Sequence, residues 1–195
     1  MDAPGLDVDV EQRIERRIAQ QLARLRGERS WSLETLAEKT GISRATLSRL
    51  ERAELSPTAA MLGKLCSVYG WTLSRLMAEA ETRPPNLVSA ATQAEWKDPE
   101  TGYRRRVVSP PTPELRGEMV EVHVPAGAIV SYDAAPIAGL EHHLWMLEGS
   151  IILDVEGSRF TLRPGDCLRY VLTGPSRFEN ASKREARYLV AMVHP

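Results

Sequence analysis

Two groups of side chains in this 195-residue chain have types and spacings suited to chemistry. The first follows the turn Gly41-Ile42-Ser43 and comprises Arg44, Ala45, Thr46, Ser48 and Arg49. Leu47 and Leu50 recur at helical spacing and must face inward, which turns Arg44, Ala45, Ser48 and Arg49 outward. A guanidinium can grip O6 and N7 of guanine with two parallel hydrogen bonds, whereas Ala45 can offer only its methyl, to a thymine. Arg44 and Arg49 are therefore the expected base-reading residues. Ser32, Ser43, Thr46 and Arg52 are placed for phosphate, which positions a protein on a duplex without specifying sequence.

The second group is Glu141, His142 and His143, the residue types that hold a divalent ion. Neighbours on a strand point to opposite faces, so these three cannot line one site on a regular strand, and no metal is expected. His123 and His194 fall in other strands, as structural or surface residues. No nucleophile stands at a recognisable distance from a base, and there is no phosphate-cradling glycine loop or paired-carboxylate strand. No catalytic residue and no cofactor are expected.

The elements that would position the first group are helices joined by well-signalled turns. Ile14, Ile18, Leu22 and Leu25 predict a first helix from Glu11 to about Arg26, ended by Gly27. Ser32 caps a second, with Leu33, Leu36 and Ala37 inward, and Gly41 closes it. Ser43 caps the third. Ser56-Pro57 opens a fourth, closed by Gly70, and Thr72 to about Ala80 makes a fifth. Thr82 to Glu95, with Pro84-Pro85, breaks the period and reads as a linker. Beyond it, short β-rich runs at Tyr103–Val108, Met119–Val124, His143–Leu147, Ile151–Val155, Arg159–Leu162, Cys167–Val171 and Arg187–Val193 predict a sandwich or barrel. The expected organisation is two-domain: an all-α domain at 11–81, a linker at 82–95 and an all-β domain at 96–195.

Composition agrees. The chain is 43% hydrophobic and 26% charged, as soluble globular proteins are, which excludes a disordered or fibrous class. No apolar run approaches the roughly 18 residues of a membrane span, and the N-terminus lacks a signal peptide's basic and apolar regions. A cytoplasmic protein is expected, with Cys66 and Cys167 both buried as small hydrophobes. The net charge of −1 hides an asymmetry: twelve basic residues stand against seven acidic ones between Glu11 and Leu76.

The run from Trp31 to Thr58 resembles the XRE, or phage repressor/Cro-type, helix-turn-helix family. The resemblance rests on Leu36-Ala37, Gly41-Ile42-Ser43, Leu47-Ser48-Arg49-Leu50-Glu51 and Ser56-Pro57-Thr58. It implies a five-helix domain whose third helix enters the major groove of double-stranded DNA; phage repressors are the standard example of that docking. One such head makes few contacts, so a homodimer on a palindromic operator is expected.

From about Glu118 the chain resembles the cupins, small jelly-roll (double-stranded β-helix) barrels. The matching residues are Trp145-Met146-Leu147-Glu148-Gly149, Ile151 to Val155, Gly157, Leu162, Pro164-Gly165-Asp166 and Asn180. Metal-binding cupins use two histidines, a glutamate and a further histidine. Here His142 falls where the glutamate belongs, Ser176 falls where the last histidine belongs, and Ala134 to Gly139 contains no histidine. The resemblance thus implies a sensor of an unknown small-molecule effector attached to a DNA-binding regulator. The alternatives are a metal-dependent cupin isomerase or oxygenase carrying a DNA-binding domain, and an antitoxin-like interaction module.

A barrel can hold a small ligand in its mouth. Alternation from His142 places Leu144 and Met146 on its inward face and Glu141, His143 and Trp145 on the other. Leu168 and Tyr170 lie together, as do Ser176, Phe178 and Asn180. The expected effector pocket is His142, Met146, Tyr170, Ser176 and Phe178. In Arg104-Arg105-Arg106, alternation turns Arg105 away from the other two, so no single anion site uses all three. Such runs are usually solvated edge charges; one of the three reaching an acidic effector is the weaker alternative.

Overall fold

The computed structural model describes residues 6–78, 85–112 and 114–195, with side chains from residue 12 onward. Five helices come first: α1 (Leu6–Glu28), α2 (Leu33–Thr40), α3 (Arg44–Glu51), α4 (Ala59–Tyr69) and α5 (Leu73–Met77). The expected caps hold α2 and α3. Ser32 accepts from the Thr35 amide and Ser43 from the Thr46 amide, each at 3.1 Å, supplying acceptors for amides that a helix start leaves unpaired. Gly41 and Gly70 end α2 and α4 at φ 68° and 65°, a left-handed geometry that costs residues with a Cβ.

Four helix boundaries differ from the sequence reading, the first being the start of α1, at Leu6 rather than Glu11. Helix α1 continues through Gly27 to Glu28, and the chain reverses at Ser30 (φ 53°), where the Trp31 amide returns to the Arg26 carbonyl at 3.1 Å. Helix α4 is capped by Thr58, whose hydroxyl accepts from the Met61 amide at 3.3 Å; Ser56 instead bonds the Glu15 carboxylate on α1. Helix α5 ends at Met77 because Ala78 is extended, while the expected end at Ala80 and residues 82–84 of the expected linker lie outside the described residues.

The β domain has ten strands: β1 (Glu95–Lys97), β2 (Arg104–Ser109), β3 (Gly117–Val124), β4 (Ile129–Tyr132), β5 (Leu140–Glu148), β6 (Ile151–Val155), β7 (Ser158–Leu162), β8 (Cys167–Leu172), β9 (Ser176–Glu179) and β10 (Ala186–Val193). They form two facing sheets, β1-β2-β3-β10-β5-β8 and β4-β9-β6-β7. The eight strands from β3 onward pair in jelly-roll order, with β1 and β2 extending one edge. Strands β1, β4 and β9 were not expected from sequence; all three are short. The alternation predicted for β5 is present, with Leu144 and Met146 buried and Trp145 50% exposed on the outer face. Cys66 is buried, and burial pushes its thiol up to about 12, but Cys167 faces outward and is exposed, contrary to expectation, because its strand partner is Trp145. Among the described residues no helix is long and apolar enough to cross a membrane.

The two domains share one continuous apolar core, and polar groups secure the seam. The buried carboxylate of Asp98, just after β1, accepts from the Ala59 amide at the start of α4 at 2.6 Å. Its other oxygen accepts from the amides of Glu100 and Thr101. Thr72, which caps α5, donates to the fully buried Glu118 of β3 at 3.3 Å. Between them α4 lies on β4, where a Cβ at Gly63 would come within 2.6 Å of the Tyr132 ring.

Asp98→Ala leaves a buried helix-start amide without its acceptor, so it is expected to lower stability by about 1–3 kcal/mol. Asp98→Asn keeps an acceptor and is expected to lose less. Urea unfolding of the full chain compares them as a shift in midpoint at constant slope.

Candidate nucleic-acid interface and inner-face site

Helix α3 is held from below and behind. Leu47 and Leu50 are 1% and 2% exposed, each contributing about 1.5–3 kcal/mol of burial. Arg26 of α1 makes a two-pronged salt bridge to Glu51 at the end of α3, with both contacts at 2.7 Å, and also donates to the Trp31 carbonyl at 3.0 Å. The C-terminal end of the helix is thereby tied to α1, and the face bearing Arg44, Ala45 and Arg49 is left exposed.

The eight residues expected to touch DNA are not equally free. Ser43 and Thr46 hydrogen-bond each other at 2.8 Å, and Ser32 is similarly engaged with Thr35 at 3.2 Å. Arg52 grips Glu54 at 2.7 and 2.8 Å and donates to Ser48. Arg44 folds back to Glu34 at the start of α2, and that carboxylate sits below its ordinary range, through its own backbone amide first and Arg44 second. Of Arg44, Arg49 and Arg52, only Arg49 makes no salt bridge among the described residues. The Arg44 and Arg52 pairs are exposed and worth little, so a phosphate or base edge can compete for either guanidinium.

In the β domain, the structure brings His142 and Tyr170 together. They face each other across β5 and β8, with Nδ1 2.9 Å from the Tyr170 hydroxyl and ring centres 5.0 Å apart. Ser176 and Phe178 lie on the opposing sheet, on β9 beside β4 and β6; Phe178 stacks on Tyr188 at 6.1 Å and meets the Tyr132 ring edge-on at 6.2 Å. Met146, 1% exposed, pairs with Tyr188 on β10 and packs as core. Asn180 ties the chain down by donating to the Val124 and Arg184 carbonyls at 2.8 and 2.7 Å.

The residues of a cupin metal set are not assembled. His142 has Glu141 and His143 pointing to the other side of the strand, and Ser176 is buried on the far sheet. No three His, Cys, Asp or Glu side chains converge among the described residues. His123 is hydrogen-bonded to Glu185 at 2.9 Å on the outer face, and His194 lies beside Glu118 at 3.5 Å.

Four further residues of the inner face were missed or underweighted: Tyr103, Arg105, Tyr132 and Tyr188. Arg104 pairs with Glu185 at 3.2 Å and Arg106 with Glu121, both on the outer face. Arg105 faces inward on the same side as Val107. The signal was present in Tyr103-Arg-Arg-Arg-Val107, since the apolar ends of an alternating run mark its central arginine as interior. Tyr132 lay on a strand with no sequence signature.

The chain carries an XRE-type helix-turn-helix domain: residues 22–76 match the HTH_3 helix-turn-helix family. Nearly the whole chain is similar to HTH-type transcriptional regulators. It is 28% identical over 177 residues to SutR of Escherichia coli K12, covering 89% of this chain and 93% of that protein. It is 25% identical over 176 residues to PuuR of the same organism, covering 87% and 91%. The fold as a whole matches the crystal structure of an HTH_3 family transcriptional regulator from Vibrio cholerae, with a TM-score of 0.77 at 23% identity, covering 95% of this chain and 99% of that one.

Burial, then the charge of Arg105, then His143, pulls the His142 imidazole down to about 3. It is neutral in the fold but takes a proton on unfolding below its ordinary pKa of about 6.5, so stability contributed by His142 falls as pH drops from about 6.5 toward 3. His142→Gln is therefore expected to lose less stability than the unsubstituted chain between pH 7.5 and 5, read from thermal midpoints of both at each pH.

Proposed function

We propose that this protein is a DNA-binding transcriptional regulator whose jelly-roll domain responds to a small-molecule effector. The observation that carries the reading is the state of α3: clamped by Leu47, Leu50 and the Arg26–Glu51 pair, with Arg49 and Ala45 free on its exposed face. A rigid helix presenting an unpaired guanidinium beside a second, weakly paired one is suited to base edges in a major groove. The similarity to SutR and PuuR, named as HTH-type transcriptional regulators, supports the same reading.

The protein acts as a homodimer on a two-fold operator, and the outer face of β5 and β8, with Trp145 and Val171 exposed at 50% and 47%, supplies the apolar surface for pairing. The effector binds between the sheets beside His142 and Tyr170. Its signal leaves through Tyr132, whose ring touches Phe178 within the jelly roll and Gly63 on α4 of the DNA-reading domain. An effector that binds two settings of this seam unequally shifts the spacing of the two heads.

Selection of bound fragments from genomic DNA by the purified protein is expected to return a palindromic motif, and Arg44→Ala/Arg49→Ala is expected to lose it. Each well-placed guanidinium removed costs about 1–3 kcal/mol of discrimination at its base. Recovery of the same motif by the double variant would move the reading surface off α3. Gly63→Ala, which forces the Tyr132 ring to shift, is expected to alter operator affinity without touching α3 and to lower stability by about 1–3 kcal/mol. A band-shift titration beside a thermal melt checks both.

A further inference from the structure

Arg105 is the one strand arginine of its triplet with no acid beside it. No described carboxylate lies within 4.0 Å of it, and its polar neighbour is the neutral Tyr132 hydroxyl, whereas Arg104 and Arg106 both pair with carboxylates. Its strand register sets it against Val122 of β3, in the same row as Tyr188 of β10. Around it stand the hydroxyls of Tyr103, Tyr132 and Tyr188, near enough for Arg105 to influence the acidity of Tyr132 and Tyr188, and its charge also reaches His142 and Tyr170.

The cluster has donors to spare and no anion. His142 Nε2 is closed off from water and makes no hydrogen bond, and the equally buried Tyr132 hydroxyl has only Arg105 and Tyr103 as polar neighbours. Arg105, His142 and Tyr170 keep partial exposure while Val107, Val122, Leu144 and Tyr188 on the same inner wall are buried, so the polar members are the ones on this wall that solvent reaches. Burial opposes the guanidinium's charge and the tyrosine oxygens favour it; a group this basic remains a cation throughout. An interior cation without a partner is unfavourable, and the missing partner is a negative charge.

We propose that the space between the sheets is an anion site whose occupant is a small monocarboxylate, gripped by Arg105 and hydrogen-bonded by the surrounding tyrosine hydroxyls. A carboxylate's two oxygens match the guanidinium fork, and one negative charge balances one positive charge. A phosphate dianion would bring a second charge with no cation to meet it. The apolar body of the ligand lies toward Phe178 and Met146. This assignment rests on the reading of the inner face as an effector site and adds the chemistry of the effector.

The test is thermal melting and calorimetric titration of the full chain with acetate, butyrate, benzoate and phenylacetate at millimolar concentration, against benzamide and inorganic phosphate. At least one monocarboxylate is expected to raise the melting temperature by about 2 °C or more, with benzamide and phosphate inert. Arg105→Met is expected to fold, to melt no lower than the unsubstituted chain without ligand, and to bind the carboxylate roughly tenfold or more weakly. No response to any of the four carboxylates, an equal response in Arg105→Met, or a response to phosphate alone overturns the proposal. Operator binding is measured on the same samples without ligand. Its loss beside an intact carboxylate response refutes the regulator reading and not the site; its retention without any carboxylate response refutes the site alone.

Discussion

The hydrogen bond from the Ala59 amide to the Asp98 carboxylate joins a helix of one domain to a turn of the other, and much of the structure depends on it. Asp98 has a second oxygen committed to the amides of Glu100 and Thr101, so the turn that follows β1 and the start of α4 in the helical domain are held by one buried group. A negative charge at a helix start is also favoured by the helix dipole. With Thr72 bonded to Glu118 on the same seam, the α domain sits on the sheets as part of a shared core rather than as a head on a tether.

That packing supplies the route that the proposed effector response requires. The polar cluster between the sheets and the exposed face of α3 are linked by three contacts: Tyr132 against Gly63, α4 against α2, and α2 against α3. Gly63 is the close-approach point because any side chain there would strike the Tyr132 ring. A packed interior responds to a displaced ring by rearranging rather than by yielding smoothly, which gives the seam the character of a switch.

The two polar regions are built on opposite principles. On α3 the cations are exposed, and two of the three are lightly held by exposed acids, so they exchange partners at low cost. Inside the jelly roll a single cation is surrounded by neutral donors and has no acid to exchange with. The first arrangement suits a polyanion met at the surface; the second suits one small anion taken out of water.

The sequence alone determined the helices around the turn Gly41-Ile42-Ser43, their serine and glycine ends, and the outward face of α3. These depend on local rules: a side chain capping an amide three residues on, a glycine accepting a left-handed angle, and leucines repeating at helical spacing. The inward set His142, Leu144 and Met146 was equally legible, because strand alternation is local too. Only the tertiary structure decided that Thr58 and not Ser56 caps α4, since Ser56 is drawn to Glu15 across the bundle and Asp98 arrives from the other domain. It also decided that Arg105 lacks an acid while its neighbours have one, and that Tyr103, Tyr132 and Tyr188 gather around it. Those residues come from four separate strands or turns, and no spacing in the chain records which of them meet when two sheets close on each other.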